Sequence, residues 1–152
     1  IGGDVVTDAS PKHYRPPAAI LESVLYCDDL EAAGQFYEQI LGLSLLSCET
    51  NRHRFYRLRD GMLLLFQPQS TQQQTVRVGD QTIPKHGASG PGHLAFSISD
   101  DEVDTFRRQL DRHGVVIESE IQWPGGGVSL YCRDPAGNSI EFATRSLWFP
   151  NG

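Results

Sequence analysis

"GHLAFSISDDEVDTFRRQLDRHG", residues 92–114, decides how this chain folds. Its first part alternates: Leu94, Phe96 and Ile98 share one face of a strand, and His93, Ala95 and Ser97 share the other. Ser99 then stands three residues before Glu102, the spacing of a capping box, after which Val103, Phe106 and Leu110 recur on one face of a helix that Gly114 ends. A strand therefore runs directly into a capped amphipathic helix. The same plan appears in "LESVLYCDDLEAAGQFYEQILG", residues 21–42. There Asp28 or Asp29 is placed to cap, Leu30, Ala33, Tyr37, Ile40 and Leu41 line one face, and Gly42 terminates.

Three more strand candidates follow each helix: residues 43–49, 54–57 and 62–67 after the first, and 115–121, 128–132 and 139–144 after the second. The chain is a βαβββ unit written twice, an α+β fold. Module one covers residues 20–70, a linker 71–89 and module two 90–149, within a single domain spanning 20–152. Residues 1–19 read as an arm without an apolar signal core, with Tyr14 available to tether it. The linker is rich in Gln, Gly and Pro, which suits a plain connection. It also leads straight into the strand carrying His93, which suits a loop over a site, with His86 as its notable side chain.

Bulk properties narrow the partners. Thirteen Lys and Arg against nineteen Asp and Glu give a net charge of -6, which repels a phosphate backbone, so no nucleic-acid partner is expected. The longest apolar run, Met62 to Phe66, is far below the roughly 20 residues of a membrane span. A soluble chain with no membrane partner is expected. Cys27, Cys48 and Cys132 form no paired framework, which fits a reducing cytoplasm.

Superimposing the two units by their helix starts sets Glu22 opposite His93. Superimposing "RDGMLLLF" on "PAGNSIEF" sets Leu65 opposite Glu141. Strand parity puts Glu22, His93 and Glu141 on the face away from the helices. Taken singly, His93 reads as a hydrogen-bonded core histidine, the two glutamates as solvent-facing, and "DPAGN" as a type I turn with Gly137 left-handed. Taken together inside a curved sheet, two carboxylates and an imidazole without a nearby cation are costly to bury. A divalent ion such as Mn, Fe, Co, Ni or Zn would resolve that cost.

"ILESVLYCDDLEAAGQFYEQILGL", "GPGHLAFSI" and "LYCRDPAGNSIEF" together resemble the vicinal oxygen chelate superfamily, which includes glyoxalase I, extradiol dioxygenases, fosfomycin resistance transferases and bleomycin resistance proteins. The resemblance covers about residues 20 to 149. It implies two modules whose strands form a curved mixed sheet around a metal site, helices outside, with one divalent metal at Glu22, His93 and Glu141. Glyoxalase I enzymes carry a further protein ligand where this alignment has Leu65, and extradiol dioxygenases use two His and one Glu. Fosfomycin enzymes share a Tyr at the position of Tyr131, whereas bleomycin resistance proteins usually lack the triad.

The implied activity is metal-dependent lyase, isomerase or dioxygenase chemistry on a small vicinally oxygenated substrate, the other reading being a ligand-binding or antibiotic-resistance protein without turnover. Glu141, His86 and Tyr131 are the candidate catalytic residues. Tyr26, Phe55, Trp123 and Tyr131 are candidates to line the substrate pocket, with Trp148 near its mouth. The resemblance further implies a homodimer whose sites are shared between chains.

Overall fold

The computed structural model describes residues 13–151. The arm expected at 1–19 lies mostly outside that range, and Tyr14 is exposed rather than packed down as a tether. Module one comprises β1 (Glu22–Tyr26), a helix whose α-helical part α1 (Leu30–Gly34) continues as π-helix over Gln35–Ile40, then β2 (Ser44–Glu49), β3 (His53–Arg57) and β4 (Met62–Phe66). The linker carries a short helix α2 (Pro68–Gln73) and a hairpin of β5 (Val76–Val78) and β6 (Gln81–Ile83). Module two comprises β7 (His93–Ile98), a 3-10 turn at Asp100–Glu102, α3 (Val103–Arg112), β8 (Ser119–Gln122), β9 (Val128–Arg133) and β10 (Ser139–Thr144).

Each module builds its own four-stranded mixed sheet, in the orders β1-β4-β3-β2 and β7-β10-β9-β8. In both, the first strand pairs parallel with the last, and the other neighbours are antiparallel. The helix on one face supplies the crossover that a parallel pair needs. Leu25 of β1 and Cys27 just after it, Leu63 and Leu65 of β4, and Ile140 and Phe142 of β10 join residues of both helices in one buried cluster. The opposite faces of the sheets remain available for a site. Burial pushes the Cys27 thiol up to about 12 and that of Cys132 up to about 11, so at neutral pH both pack as small apolar groups.

The helix starts follow their sequence signals. Asp29 accepts from the Ala32 amide at 3.0 Å, and the Ser99 amide donates to Glu102 at 3.1 Å. The end of the first helix does not follow the 3.6-residue period. The Leu41 amide reaches back five residues to the Phe36 carbonyl at 3.0 Å, a π-type bond that widens the turn. Phe36, outside the apolar face expected for a regular helix, is therefore buried beside Tyr37, the two rings perpendicular at 4.9 Å. The strand expected at 115–121 begins only at Ser119, because Val115 and Ile117 pack against the core as unpaired chain. No helix among the described residues is long and apolar enough to cross a membrane.

"DPAGN" is a β-turn, closed by the Gly137 amide on the Asp134 carbonyl at 3.0 Å, with Gly137 at φ 85°. It is also a clamp between the modules. The buried Asp134 accepts from the Ala136 and Asn138 amides through Oδ1, and through Oδ2 from the Asn138 side chain and from the Tyr37 hydroxyl at 2.7 Å. Asn138 in turn accepts from the Gly92 amide at 2.7 Å and donates to the Tyr26 carbonyl at 3.2 Å. Four hydrogen bonds compensate the buried Asp134 carboxylate, which explains how it sits 4% exposed with no cation bonded to it among the described residues.

Candidate functional site

In module two, parallel pairing sets Ser139 beside His93 and Glu141 beside Ala95, so the two ionisable residues share the face away from α3. His93 Nε2 lies 3.2 Å from Glu141 Oε2. The other ring nitrogen, Nδ1, is 3.0 Å from the Ser139 carbonyl, which can only accept, so Nδ1 carries a hydrogen and Nε2 is turned to the carboxylate. Two lone-pair donors at this separation need a proton or a cation between them. Glu141 is buried, whereas the His93 side chain is 52% exposed, leaving the pair open on one side.

Behind the pair stands a supporting layer. Ser129 donates to Glu141 Oε1 at 2.5 Å, and the Trp123 indole N–H donates to the Ser129 hydroxyl at 2.8 Å. Trp123, a candidate to line a substrate pocket, is thus linked through Ser129 to Glu141. Tyr131 pairs across the sheet with Glu141, its ring stacked with that of His93 at 6.3 Å. Burial, and after it the Glu141 carboxylate, raise the Tyr131 phenol above its ordinary value, so it remains a hydrogen-bond donor at neutral pH. Trp148 is exposed and borders a groove of about 160 Å³ that also includes Glu141, Ala95 and Phe149.

Glu22 stands apart from this pair. It is exposed at the start of β1, and among the described residues no three His, Cys, Asp or Glu side chains converge on one point. The alignment that set Leu65 opposite Glu141 is one residue out of register. Glu22 pairs with Met62 as His93 pairs with Ser139, so Leu64 is the counterpart of Glu141. Leu65 points the other way, into the common core. A one-residue slip exchanges the two faces of a strand, and three consecutive leucines conceal it in the sequence.

The face of module one that carries Glu22 is a grid set by strand register. Glu22, Met62 and Arg57 form a first row, Val24, Leu64 and Phe55 a second, and Tyr26, Phe66 and His53 a third. His53 stacks on Phe55 at 4.0 Å, and Phe55 meets Phe66 edge-on at 5.3 Å. The linker folds over the third row. His86 Nδ1 lies 2.5 Å from the Tyr26 hydroxyl, and its ring contacts Phe66 at 5.0 Å. Burial raises the Tyr26 phenol above its ordinary value, so it stays protonated at neutral pH.

Sequence reasoning did not single out Ser129, Phe66 or His53. Alternation along "VSLYC" places Ser129 on the Glu141 face with Tyr131, a signal that was available. Phe66 and His53 become neighbours of Tyr26 only through strand pairing.

Burial lowers the His53 imidazole below its ordinary value of 6.5, Glu49 opposing and Arg52 reinforcing that shift. The folded state therefore binds fewer protons than the unfolded state, and the contribution of His53 to stability is fully present above about pH 6.5 and lost as pH falls through the folded value. Urea unfolding at pH 7.5 and 5.5 should show a smaller pH-dependent loss for His53→Gln than for the wild type. An equal loss in both would show that His53 is not the group responsible.

The donor chemistry at His93 and Glu141 fits a first-row divalent cation: one imidazole with its second nitrogen held by a carbonyl, and one carboxylate oriented by a hydroxyl. The model of the glyoxalase/bleomycin resistance protein/dioxygenase superfamily matches residues 18–142. A crystal structure of lactoylglutathione lyase from Agrobacterium tumefaciens is similar at 38% identity and TM-score 0.81, over 88% of this chain and 98% of that one. A glyoxalase/bleomycin resistance protein/dioxygenase from Nocardioides shares the fold at 23% identity and TM-score 0.67, over 87% of this chain and 86% of that one. No curated protein sequence matches the chain significantly. Two βαβββ modules, the paired His93 and Glu141, and a family match over most of the length establish that the chain belongs to the glyoxalase/bleomycin resistance protein/dioxygenase superfamily.

Proposed function

We propose that this protein is a metal-dependent enzyme acting on a small vicinally oxygenated organic molecule, by lyase or isomerase chemistry. The observation that carries the reading is His93 Nε2 facing Glu141 Oε2 at 3.2 Å with its other nitrogen committed to a carbonyl. His93 and Glu141 would hold one divalent ion together with Glu22 of a second chain in a homodimer. Glu22 does not converge with the pair within one chain, and exposed Ile20 and Leu21 beside it offer an apolar surface to a partner. A bound ion would act as a Lewis acid toward two adjacent substrate oxygens as negative charge develops.

The chain's own groups then have defined tasks. Ser129 and Trp123 hold the Glu141 carboxylate in one orientation. Tyr131 presents a phenolic proton beside it. His86, hydrogen-bonded through Nδ1 to the Tyr26 hydroxyl, is the candidate acid or base on the module-one side. The similarity to a lactoylglutathione lyase favours oxygen-independent conversion over dioxygenase action. A cytoplasmic setting suits three free cysteines.

The test loads the protein separately with Mn, Fe, Co, Ni and Zn and offers catechols and thiol adducts of 2-oxoaldehydes with and without oxygen. Conversion of an adduct without oxygen uptake is expected. Oxygen uptake with a catechol would replace the lyase reading by a dioxygenase one. Tight binding with no product from any compound would make the protein a binding module.

A further inference from the structure

The grid on the Glu22 face of module one changes character along the strands. Its first row ends in two charged side chains, Glu22 and Arg57. The second and third rows hold Val24, Leu64, Phe55, Tyr26, Phe66 and His53, with no Lys, Arg, Asp or Glu among them. Rows two residues apart are separated by about 7 Å, so the aromatic end lies about 13 Å from the Glu22 row. Leu64 and Phe66 are buried, but the side chains above them leave the face partly open. Val24 is 37% exposed, and Tyr26, Phe55, His53 and His86 are only half-buried. The Tyr26–His86 hydrogen bond closes the far end.

The geometry points to a substrate whose oxygenated head carries an uncharged aromatic or apolar tail extending over Val24 and Phe55 towards Phe66, Tyr26 and His86. This assignment rests on the reading of Glu22 as part of the metal centre. A planar tail meets ring faces and edges at the second and third rows, where aromatic contacts add to area burial. A tail bearing carboxylates, like that of a peptide thiol such as glutathione, loses its hydration on this surface and meets no Lys or Arg from β1, β3 or β4 beyond Arg57 in the first row. The tail-binding rows thus favour thiol adducts with uncharged tails over anionic ones.

The test measures dissociation constants by isothermal titration for three ligands on metal-loaded and metal-free protein: catechol, 4-(2-phenylethyl)catechol and 4-(2-carboxyethyl)catechol. The phenylethyl ligand should bind about tenfold more tightly than catechol, and the carboxyethyl ligand no more tightly than catechol. In Phe66→Ala, and in Tyr26→Arg at a half-buried position, the phenylethyl-to-catechol ratio should fall towards one, with Tyr26→Arg shifting preference towards the carboxyethyl ligand. Three equal constants on wild-type protein, with binding still metal-dependent, would overturn the tail assignment and leave the metal reading intact. Tail-dependent binding that Phe66→Ala abolishes, but that is indifferent to metal, would support the tail rows and overturn the metal reading. Absence of binding by all three would overturn both.

Discussion

Replacing Glu141 with alanine is expected to lower the divalent-metal affinity of the purified protein at least a hundredfold and to abolish turnover. Loss of an outer partner alone typically costs tenfold to a hundredfold, and Glu141 is the proposed direct donor. Ser129→Ala, which removes only the hydroxyl that orients the carboxylate at 2.5 Å, should cost about tenfold and so separate support from ligation. Elemental analysis and competition with a chromogenic chelator read both effects. Wild-type stoichiometry and affinity in Glu141→Ala would remove it from the metal centre. The same variant tests the shared site. In a heterodimer of Glu22→Ala with Glu141→Ala, a site built across two chains concentrates both lesions in one place and restores the other, so about half the sites should recover metal. Heterodimers seen by mass spectrometry without that recovery would show that each chain completes its own site.

Asp134→Ala should destabilise the fold by about 3–5 kcal/mol, a large fraction of an ordinary domain's stability. The substitution strips acceptors from two amides, the Asn138 side chain and the Tyr37 hydroxyl, and Tyr37 is fully buried away from bulk solvent. Burial, the larger cause of the raised Tyr37 phenol and one that the variant keeps, prevents it from escaping the penalty by ionising. Asp134→Asn should recover part of the loss, since its amide oxygen can still accept. Urea unfolding measures the difference, and a loss below about 1 kcal/mol for the alanine variant would mean that the clamp between modules contributes little.

Strand parity and helix caps are local properties, and they were legible. His93, Ala95 and Ser97 do lie away from Leu94, Phe96 and Ile98, and Asp29 and Ser99 do begin the helices. The doubling of the βαβββ unit was legible for the same reason, because each unit carries its own signals within some fifty residues. The π-turn after Gly34 was not, since the choice between Phe36 outside and Phe36 inside depends on the room left by the neighbouring sheet.

The sequence by itself determined the fold class, the repeat and the placing of Glu22, His93 and Glu141 on faces turned from the helices. These follow from periodicities of two and 3.6 that each segment imposes on itself. Tertiary structure alone decided which residues meet. It chose Leu64 over Leu65 as the counterpart of Glu141, made Asp134 a clamp on Tyr37, brought His86 onto Tyr26, and joined His93 to Glu141 while leaving Glu22 apart. The reason is that strand register and loop closure are settled between segments far apart in the chain, where sliding by one residue reverses every face and no local signal reports the slip.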